Sequence, residues 1–164
     1  MFQASLDTTS KIITYSLMAF AALMSITMFG FLGEEWLMLI LPNAILPLII
    51  LFTWLYSPYA YSVMDGHLVV HRRMGLFRVP LANIREVGLL DKKTMGWPVR
   101  LMGNGGLFGY TGWYTSSSQG RMRWFVRQQK NYVVVITADK KKFVFSPNNP
   151  NEMAQALLEQ LPHS

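Results

Sequence analysis

The sequence predicts an α+β membrane protein: two antiparallel transmembrane helices, then an antiparallel β-barrel or sandwich of about seven strands, closed by a C-terminal α-helix. Three observations carry this. Two uncharged apolar runs occupy residues 12–32 and 36–56. From residue 59 the apolar residues recur with period two, the spacing of half-buried strands. After residue 149 they recur at helical spacing instead. The chain divides on these grounds into a helical hairpin, residues 1–58, and a strand-rich domain, residues 59–164.

Composition agrees. Hydrophobic residues make up 51% of the 164-residue chain, and most of the excess lies before Tyr56. Each apolar run, at about 1.5 Å of rise per residue, covers roughly 31 Å, close to the ~30 Å hydrocarbon thickness of a bilayer. A cleaved signal peptide fits poorly, because the first 11 residues hold only Asp7 and Lys11 as charges and the small-residue motif Ala19–Ala21 lies inside the run. Gly33-Glu34-Glu35 separates the runs, a linker fit only for a tight hairpin. Trp36, Trp54 and Tyr56 stand where interfacial aromatic residues stand. Pro42, Asn43 and Pro47 interrupt the second run; they mark either a kinked packing helix or a gate. Neither run holds a charged residue, which favours packing.

Charge sets the orientation. After Tyr56 there are 14 basic and 6 acidic residues; before it Lys11 is the one basic residue. The positive-inside rule places both termini in the cytoplasm and the hairpin tip outside. The chain has no cysteine, so disulfide frameworks and thiolate metal sites are excluded.

The strand region opens with Tyr59–Arg73, where Asp65-Gly66 is a strong hairpin turn signal. Met74-Gly75 marks a second turn. Further strand-like runs are 77–80, 84–90, 97–102, 107–115, 121–127, 132–137 and 142–146, some of which merge in the count of about seven. Asn149-Pro150-Asn151-Glu152 reads as a capping box with proline at the first helical position. Met153, Ala156, Leu157 and Leu161 form the apolar stripe of the last helix, and Pro162 stops it.

The stretch YSVMDGHLVVHRRMGLFRVPLANIREV resembles the opening of the bacterial pleckstrin-homology (PH) domains: a hairpin, a basic glycine turn and an I-P-h-x-x-I-x-x-V-like strand. GNGGLFGYTGWY, NYVVVIT and FVFSPNNPNEM are similar to the later half of one subfamily. The resemblance covers residues 59–161. It implies a PH-like barrel with a C-terminal helix, often attached to membrane helices and often oligomeric, and no catalytic activity.

Candidate site residues follow. The glycines of Met102–Trp113 lack the helix a dinucleotide fingerprint requires and the Lys-Ser/Thr of a Walker loop. They read as a bulged, bent strand pair whose Phe108, Tyr110 and Trp113 point to core, bilayer or another subunit. Basic residues fall in four groups: Arg72, Arg73 and Arg78; Lys92 and Lys93; Arg121, Arg123, Arg127 and Lys130; and Lys140–Lys142. On a strand, Arg121, Arg123 and Arg127 share a face opposite Met122, Trp124 and Val126. Such residues near an anionic leaflet are attracted without any pocket. His67 and His71, about 13 Å apart on a strand, are too distant to share a metal, and no serine or carboxylate set marks an active site. The expected role is a binding or scaffold module of the bacterial inner membrane, not an enzyme, without cofactor. Its expected partners are the bilayer, anionic headgroups, a membrane protein or identical subunits, and not nucleic acid. The alternative is a subunit of an oligomeric pore or transport assembly, with Asn43 facing a lumen.

Overall fold

The computed structural model describes residues 1–30 and 36–161, with side chains described outside 28–30 and 36–39. The expected hairpin tip at Gly33-Glu34-Glu35 and the stop at Pro162 lie outside the described residues. Strand β1 (Phe2–Gln3) precedes helices α1 (Thr8–Gly30) and α2 (Trp36–Tyr56). Strands β2 (Pro58–Met64), β3 (His67–Arg72), β4 (Leu76–Pro80) and β5 (Ile84–Asp91) follow. A short helix α3 (Lys92–Met95) leads to β6 (Val99–Gly106), β7 (Gly109–Ser116), β8 (Gly120–Val126), β9 (Asn131–Thr137) and β10 (Lys142–Phe145), and α4 (Pro150–Gln160) ends the fold.

Among the described residues one helix, over Thr8–Thr27, is long and apolar enough to cross a membrane by length and composition; its mean hydropathy is 1.3. The apolar stretch of α2 over its described side chains, Ile40–Tyr56, is shorter. The two helices touch, and Met18 and Ala21 of α1 share a groove with Ile50 and Trp54 of α2. Helix α2 is continuous through Pro42 and Pro47. Each proline withholds one N–H from the ladder, a loss that a long apolar helix can absorb.

The strands form two sheets, β1-β2-β3-β4 and β5-β9-β10-β8-β7-β6. Among the described residues nine strands follow α2 rather than about seven, because none of the expected runs merges. The pairing is also not wholly antiparallel. Strand β10 runs parallel to β8, with Val144 opposite Trp124. The chain leaves β8, skips one place to form β9, and the β9–β10 hairpin then folds into the gap. The turn at Asp65-Gly66 has both residues at positive φ, 52° and 70°, as a type I′ hairpin requires.

Two cores result. The first lies between the sheets and α4: Tyr61, Leu68, Val70, Phe125, Val133, Phe145, Met153 and Leu157 are fully or nearly fully buried there. The second lies on the opposite face of the larger sheet, where Trp124 stacks on Tyr114 with ring centroids 4.4 Å apart. Burial pushes the Tyr61 hydroxyl up to about 12, and as a donor it bonds the Phe125 carbonyl at 2.5 Å. At α4 the capping box takes another form. The Asn149 side chain caps no backbone N–H; its amide donates to the Glu152 carboxylate at 3.0 Å.

The N-terminal residues are built into the barrel. Phe2 and Gln3 pair with Tyr61 and Ala60, adding a strand to the smaller sheet. Asp7 then caps α1, accepting from Ser10 N–H at 2.7 Å, while its other oxygen accepts from Gln129 N–H at 3.1 Å. One carboxylate thus fixes the start of α1 and ties it to the barrel.

Candidate functional site

The glycine-rich stretch is the β6–β7 hairpin. Gly103 faces Gly112 and Gly106 faces Gly109 across it. A register shift between Arg100 and Met102 bends the pair. The turn is closed by Asn104, whose amide donates to the carbonyls of Leu107 and Gly109 and whose oxygen accepts from Leu107 N–H. Phe108, at φ 55°, forms the tip.

That tip docks on the helices. Phe108 N–H donates to Thr14 Oγ1 of α1 at 3.0 Å, and Ser57 Oγ, just after α2, donates to the Phe108 carbonyl. A Cβ on Gly106 would lie 2.6 Å from Ile13 Cδ1 of α1. The three rings therefore go to three places. Phe108 lines the groove between α1 and α2. Tyr110 is buried in the second core. Trp113 is half-buried beneath the guanidinium of Arg121, 4.6 Å from its ring centroid.

The basic residues also separate. Arg73 follows β3 and lies over Trp54, near the end of α2, at 4.4 Å, and Arg72 lies 5.5 Å from the Tyr56 ring. Arg123 lies 4.5 Å over Phe77. Burial lowers its pKa, and the charge of Arg72 lowers it further. Arg127 is half-buried and donates to the Ala4 carbonyl at 2.8 Å. Burial and the charge of Arg73 lower its pKa, against the opposing pull of Tyr61. The guanidinium charges thus act in two pairs, Arg72 on Arg123 and Arg73 on Arg127, and of the four Arg72 and Arg73 lie over the aromatic rings at the end of α2. No carboxylate pairs with them: the one ion pair among the described residues joins Lys141 to Asp139. The Nε atoms of Arg72 and Arg127 are buried and unpartnered. Asp7, whose N–H bonds the Arg127 carbonyl, spends its carboxylate on Ser10 and Gln129.

The other sequence candidates lie elsewhere. Arg78 lines a separate surface depression with His67 and His71. His71 bonds Ser62 Oγ at 2.7 Å and His67 bonds the Asp65 carbonyl. Lys142 donates to the Gln119 carbonyl beside the β7–β8 turn, so Lys140–Lys142 sit at the opposite end of β7 from Phe108. Lys92 and Lys93 belong to α3. Asn43, with Pro42 and Pro47, lies within α2; its side chain is half-buried and has a partner. Sequence reasoning had the arginines and Phe108 as separate groups. It missed Thr14, Ser57 and Asp7, which join the helices to the barrel, because isolated polar residues in or beside an apolar helix carry no pattern.

The arrangement can hold an anion. Arginine presents a planar fork of donors suited to phosphate, and aromatic faces orient it. Residues 59–161 match the sequence model of the family described as Bacterial PH domain. No curated protein and no solved structure gave a match.

Proposed function

The chain belongs to the bacterial PH domain family, and from that premise we propose that it is a membrane-anchored binding module, without catalytic activity, whose junctional arginines engage anionic lipid headgroups. The observation that carries this reading is the placement of Arg72 and Arg73 over Tyr56 and Trp54, with Arg123 and Arg127 each near enough to one of them to feel its charge and no carboxylate counter-ion among the described residues. In this reading α1 and α2 cross the bacterial inner membrane as a hairpin with both termini in the cytoplasm. Trp54 and Tyr56 then lie at the headgroup level, and Arg72 and Arg73 meet the phosphates there. The full chain in detergent micelles, titrated with phosphatidylglycerol, should be stabilised against heat in a salt-dependent way, and phosphatidylcholine should do little. Each basic residue near such a surface is worth about 1 kcal/mol, so the triple variant R72Q/R73Q/R123Q should bind roughly two orders of magnitude more weakly. Equal response to both lipids would defeat the reading.

A second reading, self-assembly, is favoured by β6. It is an edge strand of the larger sheet and exposes Val99, Leu101 and Met102, and Trp97, just before it, is 85% exposed. Exposed apolar edges invite pairing with another strand. Leu101→Lys should then shift the chain towards monomer in mass photometry; an unchanged mass distribution would exclude this edge. The pore alternative rests on Asn43 alone, and α2 is unbroken there.

A further inference from the structure

We infer that the chain holds one anionic phospholipid in a fixed place, with an acyl chain in the groove between α1 and α2 and the phosphate on Arg73. This rests on the reading above, that the helices lie in the bilayer and the arginines meet headgroups. The groove has a volume of about 410 Å³, inside the ~300–1,000 Å³ range of ligand pockets. Met18, Ala21, Pro47, Ile50, Trp54 and Phe108 line it. An apolar space of this kind offers water no hydrogen-bond partner, so in a bilayer hydrocarbon fills it.

Two features make the place specific rather than general solvation. First, the groove has an end wall that the membrane helices do not supply. Phe108 reaches it from the barrel, fixed on both sides by its bonds to Thr14 and Ser57. Second, the wall and the charge share a residue. Trp54 lines the groove, and the same ring carries the Arg73 guanidinium at 4.4 Å. An acyl chain against Trp54 therefore brings its glycerol phosphate to a guanidinium that has no carboxylate partner among the described residues. Charge complementarity selects an anionic headgroup; a zwitterionic one would add a third cation beside Arg72 and Arg73.

The test is native mass spectrometry of the full chain purified in mild detergent with equal amounts of phosphatidylglycerol and phosphatidylcholine. One retained phosphatidylglycerol per chain is expected. Ala21→Trp, and independently Ile50→Trp, should fill the groove and reduce retention at least tenfold, while salt-dependent stabilisation by phosphatidylglycerol persists. Glycerol phosphate alone should displace the lipid only at concentrations more than about 100-fold higher than a competing phosphatidylglycerol, since each buried methylene adds to binding. Undiminished retention in a folded groove variant, or equal displacement by glycerol phosphate where neither variant folds, would overturn the fixed site and leave the headgroup reading standing. Retention of both lipids alike, unaltered in R72Q/R73Q/R123Q, would remove both.

Discussion

Gly112→Ala should unfold a large part of the population or lower the unfolding free energy by about 3–5 kcal/mol, measured by thermal and denaturant melts of the detergent-solubilised chain. Gly112 has φ 129°, a conformation that costs a residue with a side chain about 1–3 kcal/mol. Its Cβ would also stand 2.2 Å from the Met102 carbonyl oxygen and 2.8 Å from Gly103 Cα. Both are backbone atoms of the facing strand and cannot swing aside, so β6 and β7 must separate. Overpacking of this kind adds about 1–3 kcal/mol. Gly103 presents the same geometry from the other strand, with φ 115° and the Thr111 oxygen at 2.2 Å. Gly88→Ala is the control. Nothing lies within 4 Å of its Cβ, so it should be neutral or mildly stabilising. Equal loss in the two variants would show that the close approach of β6 and β7 is not what those glycines serve.

The same hairpin shows what could be read in advance and what could not. Alternation around Met102–Trp113 marked strands, and the missing helix excluded a phosphate loop; both follow from local pattern. Where Phe108 goes does not, because its partners Thr14 and Ser57 lie 94 and 51 residues away. The face of β8 was legible too, with Met122, Trp124 and Val126 buried together. Its parallel neighbour β10 was not, since period two says which face is inward and nothing about which strand lies alongside. Strand β1 is the extreme case. Two residues carry no periodicity, yet Phe2 and Gln3 pair with the smaller sheet. Arg127 shows both limits: the expected strand 121–127 ends one residue earlier, at Val126, and leaves Arg127 in the bend after β8, and its bond to the Ala4 carbonyl depends on the segment after β1 being there.

Trp124→Ala should cost about 3–5 kcal/mol, the range for removing a buried aromatic ring from a packed core, and Trp124→Phe should cost less than about 1.5 kcal/mol. Trp124 is wholly buried, stacked on Tyr114 and tilted against Tyr132, with centroids at 4.4 and 5.6 Å. Its Nε1 has no hydrogen-bond partner, so phenylalanine keeps a ring in the stack while removing a buried donor that itself costs about 1–3 kcal/mol. Alanine removes the stack and leaves a cavity beneath β7. The consequence reaches the helices, because Tyr114 donates from its hydroxyl to the Asn104 carbonyl at 2.5 Å, and Asn104 closes the turn that carries Phe108. Hydrogen exchange at residues 104–109 should therefore accelerate in Trp124→Ala under conditions where the chain is still folded, and remain near the parent rate in Trp124→Phe. If exchange there stayed slow while global stability fell, the second core would support the barrel without positioning Phe108 against the helices.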